Sequence, residues 1–203
     1  MTQSLTYRYI AFEGIEGAGK STVAQRVADH IRTSGAEVST VREPGGTLVG
    51  ERIRQILLED EEGPVPLAEA ALFAASRAQL VHDVVRPALT SGGWVISDRS
   101  AYSSLAYQAI GRELGLERIR ELNDIAIDGL WPDRVVLLRL EATDGLARQA
   151  VDDRIGGEGE TFHRRVADAF DQLAAAEPER FVVVDATMSI DDVVAASIEG
   201  LGL

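Results

Sequence analysis

Gly14-Ile15-Glu16-Gly17-Ala18-Gly19-Lys20-Ser21 is a full GxxxxGK[ST] phosphate-binding loop, and Lys20 is the only lysine in the 203-residue chain. Every other basic side chain is an arginine. A planar guanidinium fork and a compact ammonium on a flexible stem do different work, and a phosphate cradle calls for the second. Gly14, Gly17 and Gly19 let successive backbone N–H groups converge on phosphate oxygens at a helix N-terminus. Lys20 then reaches the β and γ phosphates, and Ser21 offers a hydroxyl to Mg²⁺. Residues Gly14 through Thr22 are the expected ATP site.

A phosphate loop alone does not name a reaction, since ATPases, GTPases and kinases share it. An Asn-Lys-x-Asp guanine-reading motif is ruled out, because the single lysine is already placed. Three further groups carry chemistry. Arg42-Glu43-Pro44-Gly45-Gly46-Thr47 follows one strand candidate, and Ser97-Asp98-Arg99-Ser100-Ala101-Tyr102-Ser103-Ser104-Leu105-Ala106-Tyr107-Gln108 follows another. Asp98 can support the water shell of Mg²⁺, Arg99 can grip a phosphate bidentately, and the polar cluster beyond can read a base and sugar. Phe73 and Arg77, four residues apart, share a helix face and suit base stacking and base-edge contact.

The elements that must position these groups alternate between short β-rich runs and helical stretches. Strands are expected at Tyr7 to Phe12, Glu37 to Arg42, Trp94 to Asp98, Arg134 to Leu140 and Phe181 to Asp185. Helices are expected after Lys20 to about Ser34, from Leu67 to Thr90 with a kink at Pro87, and over Glu117 to Gly129, Thr161 to Ala176 and Ile190 to Ile198. Near-continuous apolar strands separated by helices imply an α/β fold: a five-stranded parallel sheet of P-loop NTPase type, flanked by helices on both faces. The whole chain, 1–203, reads as one domain with a short lid at about 148–160. Strand C-termini converge on a ligand crevice in such sheets, so the Arg42 and Asp98 turns should face the phosphate loop.

Composition narrows the class. No run of eighteen apolar residues exists and the N-terminus lacks a signal-peptide pattern, so a cytoplasmic enzyme without membrane contact is expected. There are no cysteines, which excludes disulfides and thiolate chemistry. A net charge of −13 argues against a nucleic-acid partner. His30, His82 and His163 lie on separate helices without metal-ligand spacing and read as surface or helix-packing residues. Trp94 and Trp131 read as core, and the acidic run from Glu59 to Glu62 as a solvated loop.

Taken together, the phosphate loop with Phe12-Glu13 before it, the Arg-Glu-Pro-Gly-Gly-Thr turn, Leu72-Phe73-Ala74-Ala75-Ser76-Arg77, Asp98-Arg99 with Ser103 to Gln108, and Pro132-Asp133 closely resemble bacterial thymidylate kinases. The resemblance runs almost from end to end. It implies transfer of the γ-phosphoryl group of ATP to the 5′-phosphate of dTMP, with Mg²⁺ held by Ser21 and, through water, Asp98. It further implies that Phe73 stacks on thymine while Arg77, Ser104 and Gln108 approach its edge. Glu16 would face the deoxyribose 3′-hydroxyl, Tyr107 would crowd a ribose 2′-hydroxyl, and Arg99 would hold the acceptor phosphate. Arg54, Glu43, Pro44 and Ser103 would complete that wall, and Asp185-Ala186-Thr187 would lie near adenine. A homodimer is also implied.

Family members with glycine after the acidic loop residue, as Gly17 follows Glu16, keep a catalytic arginine in the lid. Here the candidates are Arg154, whose spacing to Glu158 and Phe162 keeps the family register, and then Arg148. The alternative for Arg154 is a surface ion pair with Asp152 or Glu158. Two other functions remain open at this point: a P-loop kinase for another nucleoside monophosphate or deoxynucleoside, and an ATP-hydrolysing switch.

Overall fold

A computed structural model describes residues 7–59, 62–148 and 154–203. Five parallel strands form one sheet in the order β2-β3-β1-β4-β5, with β1 Tyr9–Glu13, β2 Val38–Arg42, β3 Trp94–Asp98, β4 Arg134–Arg139 and β5 Phe181–Asp185. All five expected strands are present with ends shifted by at most two residues. The expected α/β class and the flanked parallel sheet are therefore what the chain adopts. Every residue of β1 is buried, as its central place between β3 and β4 requires.

The register brings three strand ends together. Phe12 pairs with Asp98, and Asp98 with Arg42. The Glu43 N–H donates to the Asp98 carbonyl at 2.9 Å, and the Arg99 N–H donates to the Phe12 carbonyl at 3.0 Å. Because β1 runs parallel to both its neighbours, β3 and β4, the C-terminal ends of the strands share one edge of the sheet, and the crevice opens there, beyond Glu13 and Asp98.

The helices are α1 Lys20–Arg32, α2 Leu48–Leu58, α3 Pro66–Leu80, α4 Arg86–Thr90, α5 Ala101–Ser104, α6 Leu116–Ile127, α7 Ala142–Arg148, α8 Glu160–Ala176 and α9 Ile190–Leu201. Sequence reading missed α2, α5 and α7. The expected Leu67 to Thr90 helix is broken before Pro87: Val81–Val85 is a π-helical turn, with the Arg86 N–H bonded to the Val81 carbonyl. Proline lacks the next N–H and its ring crowds the carbonyl four residues back, so the widening falls just upstream of it. A second π-helical segment, Leu105–Gly111, continues α5.

Two glycines fix the approach of the phosphate loop to its surroundings. Gly14 has φ 140°, and a Cβ there would sit 2.6 Å from the Leu138 carbonyl oxygen. Gly17 has φ 76° and meets the backbone of Gly145 in α7, where a side chain at Gly145 would in turn strike Ile15 and the Glu16 carbonyl. Glycine on both sides lets α7 lie against the loop, which carries Arg148 at its end toward the nucleotide site.

Candidate active site

A cleft of about 540 Å³ opens at the strand ends, lined among others by Glu16, Gly17, Gly19, Lys20, Ser21, Thr22, Glu43, Pro44 and Arg54. Phe73, Asp98, Arg99, Ser103, Tyr107, Gln108 and Arg148 complete most of the remaining wall. Residues from six separate stretches of sequence thus converge on one cavity.

At its floor, the Lys20 ammonium donates to the Ile15 carbonyl at 2.7 Å. Burial, and then the Arg99 charge, push Lys20 down to about 8 despite the pull of Glu16, Asp98 and Glu13. Phosphate oxygens entering the loop would supply the missing counter-charge. The Ser21 hydroxyl hydrogen-bonds the Asp98 carboxylate. A hydroxyl beside a carboxylate fits Mg²⁺, which binds through few protein oxygens and completes its shell with phosphates and water. No group of three or more acidic or histidine side chains among the described residues offers a metal cage of its own.

Arg99, in a left-handed conformation with φ 72°, donates to Glu16 at 2.7 Å and to Ser103 and the Gly14 carbonyl at 3.3 Å each. Its guanidinium lies 5.1 Å from the Tyr107 ring centroid. Glu16 also accepts from the Tyr107 hydroxyl at 2.8 and 2.9 Å and faces His163 Nδ1 at 3.3 Å. Burial would raise the Glu16 carboxyl, but Arg99, His163, Lys20 and Tyr107 together hold it well below the usual carboxylate range.

Behind this layer lies Glu13, fully buried and unflagged by sequence reading. It accepts from the Ser100 hydroxyl at 2.7 Å and from the Ser103 N–H and hydroxyl at 3.1 and 2.6 Å. Glu13 therefore pins the start of α5 and, through it, the stretch carrying Ser103 and Tyr107. Its burial pushes the carboxyl up, partly offset by Arg99 and the serines. Its position in Phe-Glu-Gly at a strand end was the available clue.

Arg77 does not reach the cleft wall. It is 2% exposed; its Nε donates to Glu43 at 2.5 Å, while its terminal nitrogens donate to Ser104 at 3.1 Å, to the Ser100 carbonyl at 3.0 Å and to Asn123. Ser104 is likewise outside the lining, whereas Phe73, the expected stacking residue, is in it. Burial raises the Glu43 carboxyl, and its Oε1 has no hydrogen-bond partner among the described residues. Arg54 donates to the Pro44 carbonyl at 3.0 Å.

The two lid arginines part company. Arg148 lines the cleft and donates to the Ala186 carbonyl at 2.8 Å, beside the segment expected near adenine. Arg154 is not in the lining: it donates to Glu69 at 2.7 Å and to the Leu57 carbonyl at 2.9 Å. Its partner is thus a carboxylate only 1% exposed, not Glu158. Glu69 also accepts from Gln108 at 2.9 Å and from Arg112, which reaches on to Glu158. Asp152 and the rest of 149–153 lie outside the described residues.

His163 is not on the surface; it is a buried residue of α8, and its packing brings it to the site. It is 1% exposed, with Nδ1 toward Glu16 and Nε2 3.2 Å from the Gly156 carbonyl. A lone histidine carries no sequence sign of such partners, because Glu16 comes from the far end of the chain and Gly156 offers only a backbone carbonyl.

A family model described as thymidylate kinase matches residues 12–197, nearly the whole chain and every element of the cleft. The chain belongs to the thymidylate kinase family. A thymidylate kinase of Bifidobacterium longum is 47% identical over 193 residues, covering 93% of this chain and 94% of that one. One from Deinococcus radiodurans is 46% identical over 195 residues, covering 95% and 93%. Among solved structures, the thymidylate kinase of Ehrlichia chaffeensis superimposes with a TM-score of 0.81 at 30% identity, covering 97% of this chain and 99% of that chain. The family thus extends over fold and cleft together.

Proposed function

We propose that the chain transfers the γ-phosphoryl group of ATP to the 5′-phosphate of dTMP, giving dTDP and ADP for dTTP synthesis. The observation that carries this reading is the single cleft in which the phosphate loop faces Phe73, Arg99, Tyr107 and Gln108. A hydrolytic switch has no use for that second, acceptor-sized wall. A phosphate oxygen is already a nucleophile, so the work is alignment of two anions and neutralisation of their repulsion. Residues 14–22 hold the ATP phosphates, with Lys20 across the transferring group. Arg99 exchanges Glu16 for the acceptor phosphate, while Tyr107 and His163 keep the Glu16 carboxylate in place near the sugar. Phe73 stacks on the base, with Gln108 at its edge, Glu43, Pro44 and Arg54 along the wall, and Arg77 and Ser104 bracing that wall from behind.

Mg²⁺ bound through Ser21 and Asp98 would neutralise phosphate charge. Arg148 is the lid arginine already placed at the cleft, and Arg154 joins only when it leaves Glu69. Homodimer formation is supported by exposed Leu48, Val49 and Ile56 on α2, Leu67 on α3 and Ile125 on α6, helices that pack side by side. No helix among the described residues is long and apolar enough to cross a membrane, in keeping with a cytoplasmic enzyme.

A coupled ADP-release assay with ATP, Mg²⁺ and a panel of dTMP, dUMP, dCMP, dGMP and thymidine tests the reading. Preferred turnover of dTMP is expected; strong turnover of thymidine with none of dTMP, or ATP hydrolysis indifferent to acceptor, would overturn it.

A further inference from the structure

We propose that His163 is a positioning residue for the transfer, holding the Glu16 carboxylate and the lid-side Gly156 carbonyl at once, and that it does so only as the imidazolium. The proposal rests on the role given above to Glu16. Both partners can only accept: the carboxylate at 3.3 Å from Nδ1 and the carbonyl at 3.2 Å from Nε2. A neutral imidazole has one N–H, so its other nitrogen would set a lone pair against an oxygen. At 1% exposure, water cannot make good that loss.

The surrounding charges act in the same direction. Glu16 comes from the phosphate loop and Glu158 from the segment before α8, and both favour the charged ring. Arg99 and Lys20 also act on Glu16, the Tyr107 hydroxyl bonds the same carboxylate, and Arg112 is paired with Glu158 and Glu69. The neighbouring Phe162 ring meets the imidazole edge-on at 5.7 Å. Hydrogen bonding to Glu16 raises the His163 pKa despite its burial.

The consequence is mechanical. Once Arg99 moves to the acceptor phosphate, His163 is the cation still hydrogen-bonded to Glu16. It also ties that carboxylate to the turn at the lid's base. Deprotonation must release one partner, loosening either the sugar-facing carboxylate or the lid attachment.

The chain has three histidines, and His30 and His82 are exposed. Their ring signals can be followed by NMR in the intact enzyme, with His163 assigned through His163→Gln. We expect His163 to titrate well above the ordinary imidazole value, and higher still with dTMP bound. His163→Gln should lower kcat/KM for dTMP about tenfold at neutral pH, the size of one charge-assisted hydrogen bond, and should remove the step expected at the His163 pKa while leaving the one that belongs to Lys20. A His163 pKa at or below the ordinary imidazole value overturns the proposal, as does a variant profile of unchanged shape. Should the variant fail to fold, the wild-type titration decides alone, with the assignment made by sequential methods. Absence of dTMP turnover in the wild type would instead overturn the substrate reading.

Discussion

Two arginine–glutamate pairs, one fully buried and one at the cleft, stand close to the same wall, yet they are built for opposite purposes. Arg77 and Glu43 are 2% and 3% exposed, and the Arg77 guanidinium is committed to Glu43, Ser104, Asn123 and a backbone carbonyl. Arg99 and Glu16 are each 17% exposed, face the cleft, and have substitutes at hand: Glu16 keeps Tyr107 and His163 if Arg99 departs. A pair whose members have no alternative partners is a brace. One whose carboxylate has two spare donors can exchange a partner when a phosphate arrives, because the exchange leaves no buried charge uncompensated.

That contrast can be broken by mutation. Arg99→Ala is expected to lower kcat/KM for dTMP by roughly 10³-fold or more, the scale of a lost phosphate clamp, while chemical denaturation shifts little. Arg148→Ala should lower kcat on the order of 10³-fold, as for an arginine acting on the transferring group. Arg154→Ala should cost less than about tenfold, and the reverse ranking in steady-state kinetics would return the role to Arg154. Arg77→Met should instead be read in urea denaturation, with a loss of about 3–5 kcal/mol from leaving Glu43 buried and unpaired. Equal stability losses for Arg99→Ala and Arg77→Met would erase the distinction between the pairs.

The smallest effect concerns pH. The folded pKa of Lys20, about 8, is below the ordinary lysine value of 10.5. Between these values the unfolded chain binds more protons, so this group makes stability rise with pH across that window. Amine-directed labelling of Lys20 should accordingly climb near pH 8 in the free enzyme and be suppressed by ATP with dTMP. Full activity after verified Lys20 modification would contradict its place in the site.

Much of this was legible because it is local. The phosphate loop, the strand ends at Arg42 and Asp98, and the alternation of strands and helices are written in contiguous residues. The missing helices are those whose sequence resembles loop: α2 follows two glycines, α5 is four residues of Ala-Tyr-Ser-Ser, and α7 contains Gly145. Glu13, Glu69, Asn123 and, in its site contacts, His163 carry no local mark, for another reason. Each is an ordinary polar residue in sequence, and its meaning comes from partners roughly 40 to 150 positions away. Arg77 illustrates the converse: helix spacing put it beside Phe73, but only the packing of α6 showed Asn123 waiting behind it.

The most direct test is the binding of dTMP and of thymidine, measured by calorimetry on the wild type and on Arg99→Ala. If Arg99 exchanges Glu16 for the acceptor phosphate, the preference for dTMP over thymidine should collapse in the variant while thymidine affinity stays nearly constant. An unchanged dTMP-to-thymidine ratio would show that the phosphate is held elsewhere and that Arg99–Glu16 is a brace like Arg77–Glu43.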